Sequence, residues 1–102
     1  MITLAKGGVK FNAVASRLLN LNVNDRLSFE YEDNTLYMRF DPKNGIKVNY
    51  YPKSLKYLIH RTTLRQKIQQ ITGIKKGVLI IGEFSDGRYP LQAVERSNPT
   101  QN

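Results

Sequence analysis

The chain has 102 residues, 40% of them hydrophobic, with no cysteine, no tryptophan and a net charge of +8. That length suits one compact unit or two fused halves, not two independent cores. The absence of cysteine excludes disulfides, thiolate chemistry and cysteine-ligated zinc, and no apolar run nears the ~20 residues of a membrane helix.

Ile2, Leu4 and Lys6 read as a first strand, broken by Gly7-Gly8. Val9-Lys10-Phe11 alternates, with Val9 and Phe11 inward. Asn12 is placed to cap a short helix over Ala13 to Leu19, whose apolar stripe is Val14 and Leu18 at i,i+4, beside Ala15 and Leu19. Asn20 ends it, Leu21 and Val23 pack the exit, and Asn24-Asp25 turns the chain. A hairpin follows. Leu27, Phe29 and Tyr31 alternate with Ser28 and Glu30, Glu32-Asp33-Asn34 turns, and Leu36, Met38 and Phe40 alternate with Tyr37 and Arg39. Asp41-Pro42-Lys43-Asn44-Gly45 is a loop.

Ile46, Val48 and Tyr50 alternate with Lys47 and Asn49 in a further strand, which Pro52 ends. Ser54 is placed to cap a helix running from Leu55 through Leu58, Ile59, Leu64, Ile68 and Ile71. Thr62-Thr63 in its seam predicts a bend, or a threonine cap for a fresh helix from Leu64. Gly73 stops it. Val78 to Ile81 is the most hydrophobic strand and is expected to be central. Asp86-Gly87 is a two-residue hairpin signal. Tyr89 to Val94 returns as a last strand, with Pro90 placing it near an edge. Ser97 to Asn102 reads as a frayed tail.

The two halves read alike: strand, helix, strand, strand over 9–40, and the same order with a longer helix over 46–94. The expected fold class is a small α+β fold, with a unit over 1–41, a basic strand-helix-hairpin unit over 42–96 packed with it, and a tail over 97–102.

Residues 1–41 hold five basic and five acidic residues and cancel. Residues 42–82 hold nine basic residues and no carboxylate: Lys43, Lys47, Lys53, Lys56, Arg61, Arg65, Lys67, Lys75 and Lys76. A surplus so concentrated attracts polyanions through its field and through counterion release. Tyr50, Tyr51 and Tyr57 interleave with these charges, as in surfaces that stack bases and track phosphates. Alternation turns Tyr50 inward and leaves Tyr51 exposed. Arg61, Arg65 and Lys67 have donors suited to phosphate, but share no face of a straight helix.

Catalytic signals are weak. His60 is the only histidine and falls inside the expected helix without a positioned partner. Neither His-x-x-x-His nor Glu-x-x-His occurs; Glu30, Glu32 and Asp33 read as solvent-face charges beside a turn. Gly7-Gly8 and Lys75-Lys76-Gly77 precede strands, not helices, so phosphate-loop geometry fails. No enzyme activity, cofactor or metal is expected.

The run GGVKFNAVASRLLNLNVNDRLSF at 7–29, continuing without a gap through Met38, resembles the swapped-hairpin domain of AbrB-type (SpoVT/AbrB-like) transition-state regulators and antitoxins. The likeness covers roughly residues 7–40, about a third of the chain, and rests on Val9, Phe11, Leu19, Leu21, Leu27, Phe29, Leu36 and Met38. It implies a domain in which two strand-helix-hairpin copies interlock and arginines grip DNA. By position, Arg17 is similar to a helix arginine of that family. Ser16 stands where a second is found, Gly8 where a loop arginine is common, and Asn12 in place of a proline.

Together these readings predict a non-enzymatic, DNA-binding protein of transcription regulation or DNA architecture. Its expected contacts are Arg17, Lys47, Tyr51, Lys53, Lys56, Arg61, Arg65, Lys67, Lys75 and Lys76. The partner is nucleic acid, double-stranded DNA first, or an acidic protein surface. The alternative is a structural or assembly protein, a protein-protein interaction module of the kind found in phages or mobile elements, without specific DNA recognition. Self-association as a homodimer is expected, because isolated hairpins are poorly covered; the second half standing in for a partner copy is the other arrangement. No signal segment and no membrane association are expected, which points to the cytoplasm.

Overall fold

The computed structural model describes residues 1–5, 8–53, 56–74 and 77–95. The first half runs β1 (Ile2–Ala5), β2 (Gly8–Phe11), α1 (Ala13–Leu18), β3 (Arg26–Glu32) and β4 (Thr35–Phe40). The second runs β5 (Ile46–Lys47), β6 (Asn49–Tyr51), β7 (Lys56–Ile59), α2 (Thr62–Thr72), β8 (Gly77–Ile81) and β9 (Tyr89–Glu95). This is a small α+β fold, mostly β.

All strands join one sheet, in the order β5-β3-β4-β9-β8-β1-β2-β7-β6, with every pairing antiparallel. The two ends of that order, β5 and β6, lie on one run of chain interrupted only at Val48, so the sheet is a nearly closed barrel. Val48 is fully buried and its N–H donates to the Asp25 carbonyl at 2.8 Å, which ties the junction to the start of β3. Closure leaves no long edge on which another strand could grow.

The pairing scheme is symmetric. Exchanging β1, β2, β3 and β4 with β5/β6, β7, β8 and β9 leaves every neighbour relation unchanged. Two pairings map onto themselves, β2 with β7 and β4 with β9, on opposite sides of the ring. The strands of the two halves are thus interleaved, with β8 beside β1 and β5 beside β3.

Alternation decides which side chains fill the barrel. Ile2, Val9, Phe11, Leu27, Met38, Val48, Ile59 and Leu79 point inward and are completely buried. Leu64 and Ile68 of α2, and Ala15 of α1 with Leu19 beyond it, join the same cluster. Each large side chain so buried contributes about 1.5–3 kcal/mol of transfer free energy. Both tight hairpins turn through left-handed residues, Asp33-Asn34 (φ 50° and 63°) and Asp86-Gly87 (φ 54° and 78°), whose twist matches the strands they join.

Several local expectations change. Residues 56–59 form β7 rather than helix, because Tyr57 and Ile59 turn inward while Lys56 and Leu58 turn outward, and partners lie on both sides. The proposed Ser54 cap lies outside the described residues. The helix starts afresh at Thr62 after an extended Arg61, with no side-chain cap, and ends at a left-handed Gly73 (φ 74°). His60 sits exposed in the link before it. On α1 the inward pair is Ala15 and Leu19; Val14 and Leu18 are 60% and 59% exposed. β8 is apolar, but Ile80 is 43% exposed, so only part of the strand is buried on both faces. Pro90 is not on an edge, since β9 pairs with both β4 and β8. Its carbonyl accepts from the Gly82 N–H, so its nitrogen points the same way, one residue past the end of β8, where a missing donor costs no ladder bond.

Candidate nucleic-acid interface

The outward positions divide the barrel by charge. On the β4–β9 side, Glu30, Glu32, Arg39 and Arg88 pair with one another. Arg88 approaches Glu32 at 2.9 Å and Glu30 at 3.5 Å, and Arg39 approaches Glu30 at 3.6 Å and Asp41 at 3.3 Å. The Arg88 guanidinium also lies over the Tyr37 ring, 3.6 Å from its centroid. Its hydrogen bond to Glu32 raises its pKa further above the ordinary value. Asp41 is 7% exposed; it accepts from the Ser28 hydroxyl at 2.7 Å and the Asn44 N–H at 3.0 Å. The Ser28 bond, then the Asn44 N–H and the charge of Arg39, hold its carboxyl below the usual carboxylate range.

On the β2–β7 side the outward charges are cationic and stand among neutral residues. Lys10 lies across from Leu58, which lies across from Asn49. One step along, Lys56 faces Tyr51, and exposed Lys53 stands in the turn joining their strands. Lys47 continues the stripe and lies directly opposite Arg26. Arg26 donates to the Gly45 carbonyl at 3.0 Å. Among the described residues every ion pair involves Arg39 or Arg88, so Lys10, Arg26, Lys47, Lys53 and Lys56 have no carboxylate partner. Directly opposed like charges destabilise a sheet; the Arg26–Lys47 pair is such a cost.

Close backbone packing holds this side together. A Cβ on Gly8 would lie 2.1 Å from the Ile59 carbonyl oxygen, so β2 and β7 meet at their present distance only with glycine there. Beneath the stripe, the Tyr50 and Tyr57 rings pack inward at a tilt, with centroids 4.8 Å apart.

The residues singled out from the sequence fall into three groups. Lys47, Tyr51, Lys53 and Lys56 share the stripe. Arg61 and Lys67 line a groove of about 620 Å³ between α2 and the β3–β4 hairpin, floored by Phe29, Leu36 and Ile68. They converge without any bend because Arg61 precedes the helix and α2 is unbroken. Arg65 lies on the other flank of the α2 apolar stripe, half-buried, with its Nε unpartnered, and Arg17 is exposed on α1. Lys75 and Lys76 lie outside the described residues. Lys10 and Arg26, which belong to the charge-neutral half, join the stripe through strand register. Alternation at Lys10 was the available signal.

No three His, Asp or Glu side chains gather as a metal site among the described residues, and none of their helices is long and apolar enough to cross a membrane. His60 lines neither this groove nor the shallower one beside Ile80 and Gln92. Compared with protein-family models, curated proteins and solved structures, the chain matches none.

Proposed function

We propose that this is a non-enzymatic nucleic-acid-binding protein, of regulatory or architectural type, that lays the phosphate backbone of duplex DNA across the outer face of β2, β7, β6 and β5. The observation that carries this reading is the segregation of charge. Among the described residues, five outward cations without carboxylate partners occupy one side of the barrel, while Glu30, Glu32 and Asp41 on the opposite side pair with Arg39 and Arg88. A phosphate bridging Arg26 and Lys47 would turn their mutual repulsion into binding energy. In this reading the symmetric halves stand to each other as the two copies of a swapped-hairpin domain do, within one chain. A homodimer then loses its motive, because β9 already covers β4.

The test is fluorescence anisotropy on mixed-sequence duplex DNA against salt. Five phosphate contacts give a log–log slope of about −4.5, so raising salt from about 50 to about 200 mM should weaken binding about 500-fold. Absence of binding at the lower salt would exclude the proposal.

One observation favours a second reading, a protein-interaction or assembly subunit: α1 exposes Val14 and Leu18, one turn apart, at 60% and 59%. Sedimentation velocity across a wide concentration range discriminates, since assembly through α1 makes the sedimentation coefficient rise with concentration and Leu18→Asp abolishes that rise.

A further inference from the structure

The groove between α2 and β3 is distinct from the basic stripe in both shape and chemistry. Its floor is apolar, built from Phe29, Ile46, Ile68 and Ile71, and its volume of about 620 Å³ lies in the range of small-molecule sites. Two cations line it, Arg61 and Lys67, and among the described residues neither makes an ion pair. Glu30 is the one carboxylate among the lining residues. Its carboxylate is engaged by Arg39 and Arg88 on the outer face, so it does not neutralise the pair. An apolar trough bordered by two uncompensated cations is complementary to an amphipathic anion.

We propose that this groove binds a small amphipathic carboxylate, its hydrocarbon body on the Phe29, Ile68 and Ile71 floor and its carboxylate between Arg61 and Lys67. A neutral molecule of the same shape gains only the burial. A cationic one meets repulsion. The acid is therefore separated from its alcohol and amine by the head group alone.

Octanoate, octanol and octylamine are titrated into the ¹⁵N-labelled full-length protein, with amide shifts read by NMR. Octanoate is expected to shift the amides of Phe29, Tyr31, Lys67, Ile68 and Ile71 together, with octanol at least about ten-fold weaker. Arg61→Gln and Lys67→Gln should each weaken octanoate about three- to five-fold, as exposed charges do, and the double variant about ten-fold or more. Lys47→Gln and Lys56→Gln, which neutralise the stripe, should leave octanoate affinity unchanged. Thermal melts establish that each variant is folded. If octanol binds as tightly as octanoate, the cations play no part and the proposal fails. It fails equally if the folded double variant keeps wild-type affinity, or if millimolar octanoate moves no groove amide.

Discussion

The two self-paired seams of the barrel, β2 with β7 and β4 with β9, share a topology and differ in what they do with charge. At β4–β9, Glu30, Glu32, Arg39, Asp41 and Arg88 satisfy one another, and Tyr37 takes the face of Arg88. At β2–β7 and the adjoining β6 and β5, Lys10 lies across from Leu58, Lys56 across from Tyr51, and Lys47 directly opposite Arg26. Net charge does not separate these regions by itself. What separates them is whether each charge has an internal partner. A paired surface charge adds little to binding and something to the fold; an unpaired row adds nothing to the fold and stands ready for an external polyanion.

The strongest way to break the comparison is to split the basic side at its backbone. Gly8→Ala places a Cβ 2.1 Å from the Ile59 carbonyl oxygen, with the Arg61 nitrogen also near at 3.2 Å. Neither neighbour is a flexible side chain, so the strands must separate. We expect a loss of at least about 2 kcal/mol in urea unfolding, together with loss of DNA binding. Wild-type stability for this variant would show that β2 and β7 do not pack as closely as described.

The next effect is on binding alone. Neutralising Lys10, Lys47, Lys53 and Lys56 together to glutamine should shift affinity for duplex DNA at low salt by at least about 100-fold and make the salt slope shallower by about 3.6. Neutralising Arg39 and Arg88 together should change affinity by no more than about two-fold, as their charge is already compensated, while lowering the melting temperature. Equal losses from the two sets would mean that overall charge governs binding, and the contrast between the faces would collapse.

The hairpin over 27–40 and the extended run over 46–51 were legible in the sequence, because their apolar residues recur at every second position. Residues 55–59 were harder. Leu55, Leu58 and Ile59 fit a helix with Leu64, yet Lys56 to Ile59 also fits period two. The choice is made by β2 and β6 on either side, of which β2 is remote in sequence. On α1 two i,i+4 pairs sit side by side, Val14 with Leu18 and Ala15 with Leu19, and the pattern alone does not choose between them. A six-residue helix has room to bury one of them, and its connection through Leu19 selects the smaller. The site was half legible. Lys47, Tyr51, Lys53 and Lys56 are neighbours in sequence and in space, but Lys10 and Arg26 reach them only through register. The Arg88 contacts to Glu30 and Glu32 span more than fifty positions, so no local pattern announces that one face is internally neutralised.

The smallest effect concerns Asp41, which anchors the loop that leaves the paired side and enters the basic half. Ser28 and Asn44 donate to it and Arg39 lies beside it, so its carboxyl titrates below its ordinary value in the folded state. A depressed folded pKa stabilises the protein at every pH above the unfolded value, near about 3.9, and that contribution disappears as pH falls through the folded value. Asp41→Asn should therefore lower the urea midpoint at neutral pH, and its deficit should shrink as the pH is taken below about 4. Ser28→Ala removes the largest cause of the shift and should show the same convergence with a smaller deficit. Lys56 belongs to no ion pair among the described residues, so Lys56→Gln should track wild type in parallel over the same acid range. If the Asp41→Asn deficit stays constant with pH, the loop is held by geometry alone, and the charge network of the β4–β9 side ends at Arg39.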